Sequence, residues 1–250
     1  MREFAGLRAA VTGGASGIGA ATTRLLAERG ARVAVLDIQA PAELVPQSIS
    51  ITCDVTSTAG VAAAMHIIET DFGGLDVLVN NAGMGARGDV TAQDADTWHH
   101  LLDVNVVGMA RVTSAALPML RRSAHAAIVN TCSAVAVLGV PDRALYAASK
   151  GAVLSLTLAM AADHIGEGIR VNAVAPGTTD TPWVQRFLAA ADDPVAVIEE
   201  LRRRQPLGRL VTADEVAHAI AYLASPLSGS TTGSILGVDG GMVTLRIPSP

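Results

Sequence analysis

Arg8-Ala-Ala-Val-Thr-Gly-Gly-Ala-Ser-Gly-Ile-Gly19 is the stretch that decides the fold. Arg8 to Val11 is a brief apolar run, and Thr12-Gly13-Gly14 stops it. Residues 17–29 then follow a helical period, with Ile18, Ala21, Leu25 and Leu26 on one face and Gly30 at a C-cap position. The alternation continues outward. Arg32 to Leu36, Ser48 to Thr52, Leu75 to Val79, Ala126 to Thr131, Ile169 to Val174 and Ser234 to Val238 read as strands. Residues 57–72, 94–122, 145–165 and 212–224 read as helices. Continuously apolar strands alternating with helices indicate a parallel sheet covered on both faces. Right-handed crossovers make it a doubly wound α/β sheet of about seven strands. No composition break or repeat divides the chain, so residues 1–250 read as a single domain. Segment 177–211, with Pro182, Pro194 and Pro206, falls outside the alternation and reads as a lid, mostly loop with a little helix.

Half of the residues are hydrophobic and 16% are charged, enough apolar material for a large core. A net charge of −5 and an aromatic content of 3% argue against a nucleic-acid partner. Cys53 and Cys132 lie far apart in apolar runs and read as small buried hydrophobes in a reducing compartment. The six histidines form no metal-binding spacing, so no metal is expected. Met1-Arg-Glu-Phe lacks a signal-peptide pattern, and Gly, Pro, Asp or Lys interrupts every long apolar run. The expectation is a cytoplasmic protein without a membrane partner.

The glycine turn carries chemistry of its own. Gly13 lets the chain turn sharply, Gly17 lets backbone approach a pyrophosphate, and Gly19 lets helix and sheet pack closely. The N–H groups at Ser16, Gly17 and Ile18 and the positive end of the helix dipole then face the phosphates. Asp37, ending the second strand, can accept hydrogen bonds from an adenosine ribose and repels a 2′-phosphate. The turn holds no Lys or Arg to attract that phosphate, so NAD is favoured over NADP.

Tyr146-Ala-Ala-Ser-Lys150 places Tyr and Lys at i and i+4 on one helical face. Ser133 lies just past a strand end, and Asn105 falls in a helix after Asn80-Asn81-Ala82-Gly83. Taken singly, each is an ordinary surface or capping residue. In this order, with Asp54, Pro176-Gly177 and Val238-Asp239-Gly240-Gly241, they resemble the short-chain dehydrogenase/reductase family over essentially the whole chain. The resemblance implies a Rossmann fold, a homo-oligomer of tetramer type, and an NAD-linked alcohol–ketone reaction. Tyr146 is then the proton acceptor, and the charges of Lys150 and the nicotinamide favour its phenolate. Ser133 holds the substrate oxygen, and Asn105 anchors a water linking Lys150 to solvent. Asp54 and Val55 are expected at the adenine and Asn81, Ala82 and Gly83 beside the ribose. Pro176, Gly177, Thr179 and Thr181 are expected at the carboxamide, with Lys150 and Tyr146 also touching the cofactor.

Two further stretches, 176–182 and 203–209, resemble the branch of type 2 3-hydroxybutyrate and 2-keto-3-deoxy-L-fuconate dehydrogenases. That branch grips a substrate carboxylate with arginines. Arg143 and Arg204 match two such positions, whereas Arg186 is one residue out of register and Phe187 stands in its place. Arg143 sits close before Tyr146, and a guanidinium binds a carboxylate through paired, charge-assisted bonds. The competing readings are a solvated Arg143 or one paired with Asp142, a dehydrogenase for a neutral sugar, polyol or steroid, and an inactive NAD-binding regulator.

Overall fold

The computed structural model describes residues 2–189 and 191–246; Met1, Ala190 and 247–250, which the expected domain and lid include, lie outside them. The strands are β1 (Arg8–Thr12), β2 (Arg32–Asp37), β3 (Ser48–Thr52), β4 (Val77–Asn80), β5 (Ala127–Thr131), β6 (Arg170–Pro176), β7 (Thr179–Asp180), β8 (Val211–Thr212) and β9 (Ile235–Val238). The α-helices are α1 (Gly17–Glu28), α2 (Thr58–Phe72), α3 (Ala95–Leu102), α4 (Gly108–Leu120), α5 (Ala144–His164), α6 (Pro182–Ala189), α7 (Pro194–Arg203) and α8 (Ala213–Ala224). Seven strands form one parallel sheet in the order β3-β2-β1-β4-β5-β6-β9. The order reverses between β1 and β4, which opens a crevice at their C-terminal ends.

Successive residues serve opposite faces. Leu78 and Ile128 pack in the layer with Phe72, Leu120 and Val171, while Val77, Val79 and Val129 pack in the other with Leu26, Ile220 and Leu223. Because both faces are covered, strict alternation looks like an unbroken apolar run in the sequence. Each fully buried Leu or Ile contributes about 1.5–3 kcal/mol. At the N-terminal end of the sheet, Arg8 fastens β1 to Asp76 ahead of β4 through Nε and Nη2, both at 2.8 Å.

A buried polar ladder sets the helices that serve the site. Asn80 Nδ2 donates to Thr113 Oγ1 on α4 (2.9 Å) and to Asn130 Oδ1 (3.0 Å), and Asn130 Nδ2 donates to Thr157 Oγ1 on α5 (2.9 Å). These bonds fix α4 and α5 in register with β4 and β5. A π turn, Asp103–Val107, interrupts the helical stretch between α3 and α4.

Segment 177–211 departs from the expectation of mostly loop. It holds α6 and α7, and Pro182 and Pro194 stand at the starts of these helices rather than breaking them. Proline lacks an N–H that the first helical turn leaves unpaired anyway, and its φ suits the helix. The ends of the segment close on each other: β7 pairs β8 in parallel, Thr179 with Val211 and Asp180 with Thr212. The side chain of Gln205, fully buried, donates to the carbonyls of Thr178 and Arg209 across the same base.

Among the described residues one helix, Ala144–Glu167, is long and apolar enough on average to cross a membrane by length and composition, although Lys150, Gly151 and Asp163 interrupt its apolar run as the sequence reading has it. Lys150 and Gly151 do not break the helix: it packs beside β6 and turns Lys150 inward.

Candidate active site

The crevice at the C-terminal edge of the sheet is a cleft of about 710 Å³. Its lining includes Asp37 and Asp54, Gly13 and Gly17, Tyr146 and Lys150, and Arg143, Arg204 and Trp183.

The glycine turn forms one wall. A methyl on Gly13 would lie 2.9 Å from Ala82 Cα, and one on Gly19 would lie 2.0 Å from the Gly13 carbonyl oxygen, so both positions exclude a side chain. Gly17 adopts φ 52°, a left-handed conformation that a Cβ strains. Ser16 is the N-cap of α1 but its side chain caps nothing, and no acidic residue stands in the first turn. That helix end therefore offers first-turn amide donors that no side chain of its own turn caps, and Ser16, Gly17 and Ile18 line the cleft, which fits a pyrophosphate.

Asp37 Oδ2 accepts from Ala15 N–H and Oδ1 from Gln39 N–H, both at 3.1 Å. The carboxylate thus shapes the turn and still has lone pairs for a diol. Asp54 accepts from the N–H and hydroxyl of Thr56, and these bonds hold its carboxyl below the usual range. Thr12, which sequence reasoning passed over, ties β1 to β4: its Oγ1 accepts from Asn81 N–H (2.9 Å) and Ala82 N–H (3.0 Å). The Asn81 amide donates to the carbonyls of Thr12 and Gly13, so this side chain braces the glycine turn. Pro176, Gly177, Thr179 and Thr181 line the same cleft, with Thr181 beside Gly17.

Ser133, Tyr146 and Lys150 all line the cleft. Ser133 is extended and caps a single 3-10 turn, accepting from Val135 N–H at 3.4 Å, which leaves its hydroxyl proton to donate. Lys150 is only 4% exposed; its Nζ donates to the Thr131 carbonyl at 2.8 Å and lies 5.7 Å from the centre of the Tyr146 ring. A methyl on Gly83 would come within 3.2 Å of Asn105 Oδ1 and 3.8 Å of Lys150 Nζ, so this loop lies against both.

Asn105 sits in the π turn, and its amide is more committed than the sequence implied. Oδ1 accepts from Met84 N–H (2.8 Å), while Nδ2 donates to the Met84 carbonyl (2.9 Å) and to Ser149 Oγ (3.1 Å). Both amide protons are thereby used in clamping the loop after β4 to α5.

Arg143 is half-buried and makes no ion pair among the described residues; its Nη1 donates to the Ala86 carbonyl at 3.2 Å. Asp142 does not pair with it. Burial first, then the charges of Arg87 and Arg204, push its guanidinium below the ordinary value. Arg204 pairs with Glu200. Arg202 and Arg203 are exposed, as their place on a solvated helix face requires. Phe187 and Arg186 both line the cleft, and the Arg87 guanidinium stacks 4.3 Å from the Phe187 ring centre. No local pattern marks Arg87; only the fold brings it here. No cluster of three or more His, Cys, Asp or Glu that could hold a metal occurs among the described residues.

A glycine-turn cleft at the switch point of a doubly wound sheet, with Ser, Tyr and Lys converging in it, defines a class, and the comparisons give the same one. The chain belongs to the short-chain dehydrogenase/reductase family. Residues 13–243 match the family model described as enoyl-(acyl carrier protein) reductase. The chain is 41% identical over 247 residues to the cis-4-hydroxycyclohexanecarboxylate dehydrogenase of Sinomonas cyclohexanicum, covering 95% of this chain and 97% of that protein. It is 36% identical over 240 residues to the 2-keto-3-deoxy-L-fuconate dehydrogenase of Xanthomonas campestris pv. campestris, covering 94% and 80%. Among solved structures, the aldohexose dehydrogenase of Thermoplasma acidophilum superposes with a TM-score of 0.91 at 33% identity, covering 100% of this chain and 99% of that one. The chain is accordingly an oxidoreductase acting on alcohol groups with a nicotinamide cofactor.

Proposed function

We propose that the protein is an NAD-dependent dehydrogenase of a secondary alcohol that carries a carboxylate, a hydroxy acid or acid sugar. The observation that carries this reading is Arg143: half-buried, without an acidic partner, in the same cleft as Tyr146 and Lys150. An unneutralised buried cation is costly unless a ligand supplies the anion. The substrates in the names of two relatives fit, one of them a carboxylate by name.

In this reading the cofactor lies along the cleft. Gly13, Ser16, Gly17, Ile18 and Gly19 hold its phosphates, Asp37 its ribose, and Asp54 and Val55 its adenine. Asn81, Ala82 and Gly83 run beside it, and Pro176, Gly177, Thr179, Thr181, Tyr146 and Lys150 hold the nicotinamide half. Bound NAD supplies a hydride acceptor. Asp37 sets the preference for NAD, because its carboxylate repels a 2′-phosphate. Ser133 donates its hydroxyl to the substrate oxygen, and Tyr146 takes the hydroxyl proton. Lys150, held by the Thr131 carbonyl, places its charge beside the Tyr146 ring and offsets the phenolate. Asn105 keeps the 83–85 loop against Lys150, and the remaining Oδ1 lone pair and the π-turn carbonyls are where a relay water would be held. Arg143 and Arg204 take the carboxylate.

One domain, residues 1–250, carries the whole site, with 177–211 as its lid. A cytoplasmic homotetramer remains our reading of the assembly; exposed Val107, Leu158 and Tyr222 on the outer helices suit subunit packing, and sedimentation checks it. The function is tested by NAD-linked turnover across hydroxy acids, sugar acids, neutral sugars, polyols and steroids. Turnover confined to acids is expected. Turnover of neutral alcohols alone selects the neutral-substrate reading, and none at all the inactive regulator.

A further inference from the structure

The lid helix α6 touches the rest of the molecule through a seam whose parts interlock. Trp183 and Phe187 are one turn apart on α6, and their rings stack with centres 6.2 Å apart at 17°. Facing them are alternate residues of the loop after β4. A methyl on Gly85 would lie 2.9 Å from Trp183 Cζ2, so the bare Cα of Gly85 is a seat for the indole. Two residues on, the Arg87 guanidinium covers the Phe187 ring at 4.3 Å. The loop beneath is anchored: Asn105 clamps Met84 on both sides, and Gly88 exchanges backbone bonds with Asp142 (3.0 Å) and Ala144 (3.3 Å).

The lid is otherwise attached at its base. Its apolar contacts, Val184, Leu188 and Leu201 among them, form a small cluster separate from both faces of the sheet. The other ties of the segment lie at its base: the β7–β8 hinge, the Gln205 stitch, the Leu207 N–H bond to the Gly240 carbonyl, the Arg209–Glu215 ion pair and Thr181 beside Gly17; the seam is what holds the body of α6 against the loop after β4.

We infer that Gly85 with Trp183, and Arg87 with Phe187, are positioning pairs that fix the lid helix against the loop after β4 and so set the width of the substrate end and which alcohols fit it. The inference rests on 177–211 being the lid of the proposed dehydrogenase site. Arg87 has a second consequence: its charge stands near Arg143 and adds to the pull on an acidic substrate.

The test uses the full-length enzyme. Gly85 has no left-handed φ, so Gly85→Ala is permitted by the backbone and adds only a methyl beneath the indole. Displacing the lid by a fraction of an ångström should raise KM for the best substrate roughly tenfold, with a smaller change in kcat. Trp183→Phe trims the ring atoms the methyl meets, so Gly85→Ala combined with Trp183→Phe should recover KM toward the Trp183→Phe single variant. A substrate-free readout accompanies it: in a Trp98→Phe background Trp183 is the sole tryptophan, and Gly85→Ala should increase its quenching by acrylamide. Arg87→Gln should raise KM for acids more than for neutral alcohols, and Arg87→Lys should restore part of the loss.

Unchanged Trp183 quenching in Gly85→Ala, or strictly additive KM effects in the cycle, overturns the inference. If acids are not substrates, the carboxylate reading fails by itself. The quenching and the Gly85–Trp183 cycle are then read on whichever alcohol turns over, and they support or overturn the seam independently.

Discussion

Replacing Arg143 with Ala separates substrate binding from structural support, because the two effects have different signs. In the ligand-free protein the guanidinium makes one hydrogen bond, to the Ala86 carbonyl at 3.2 Å. Losing it costs about 1 kcal/mol. Against that, the substitution removes a half-buried cation that burial and the charges of Arg87 and Arg204 disfavour. The two contributions oppose each other, so thermal unfolding of the ligand-free enzyme should fall by less than the ~2–4 °C that loss of the hydrogen bond alone would give. With an acidic substrate bound, the same change removes a charge-assisted contact in a desolvated pocket. That is ~1.5–3 kcal/mol, or roughly ten- to a hundredfold in kcat/KM. Arg143→Lys keeps the charge but loses the fork, and should fall between. The assay is NAD-linked turnover of the best hydroxy acid beside a neutral alcohol of similar shape, with a melting curve for each variant. Equal losses on both substrates would mean that Arg143 only props the Ala86 loop. Unchanged kinetics on the acid refutes the carboxylate contact outright.

Three other outcomes follow from the geometry. Asp37→Ala removes the repulsion of a 2′-phosphate and the bond to Ala15 N–H, so discrimination between NAD and NADP should shrink in parallel Kd measurements; comparable affinities in the unaltered enzyme would count against Asp37. Tyr146→Phe keeps the ring beside Lys150 and should abolish turnover while NAD still binds by titration; substantial residual turnover removes Tyr146 from the proton transfer. Asp76 accepts four hydrogen bonds, from Arg8 N–H, Arg8 Nε, Arg8 Nη2 and Ser123 Oγ. Burial alone would raise its carboxyl, but the bonds from Arg8 and Ser123 outweigh it and hold the group below its ordinary 3.8. A depressed folded value gives stability that is full above 3.8 and is lost as pH falls through the lower folded value. Asp76→Asn should therefore cost about 2 kcal/mol in urea unfolding near neutral pH, and the deficit should narrow in acid; an equal deficit at both removes the linkage.

The legible parts of this protein are those written within a turn or two of chain. The glycine turn, the short continuously apolar strands and the i, i+4 pair Tyr146 and Lys150 are local patterns, and the structure places the strands in the sheet and the turn and the pair at the cleft. Local signals fail where one residue serves two structures. Pro182 and Pro194 signal loop, yet each starts a helix, because proline is as acceptable at a helix's first turn as in a bend. The two-residue strands β7 and β8 are too short to show a period, and only their pairing defines them.

The sequence by itself determined the sheet and the glycine turn and named Ser133, Tyr146 and Lys150 as the candidate reacting side chains, since hydrophobic pattern and backbone freedom act on neighbours along the chain. The tertiary structure alone decided that the Asn105 amide clamps Met84, that Gly85 seats Trp183 and Arg87 covers Phe187, and that Arg143 has Arg87 and Arg204 as its charged neighbours. Those residues are far apart in sequence. They meet because parallel crossovers bring successive loops to the same edge of the sheet, and the contacts made there depend on how whole elements pack rather than on any one segment's preference.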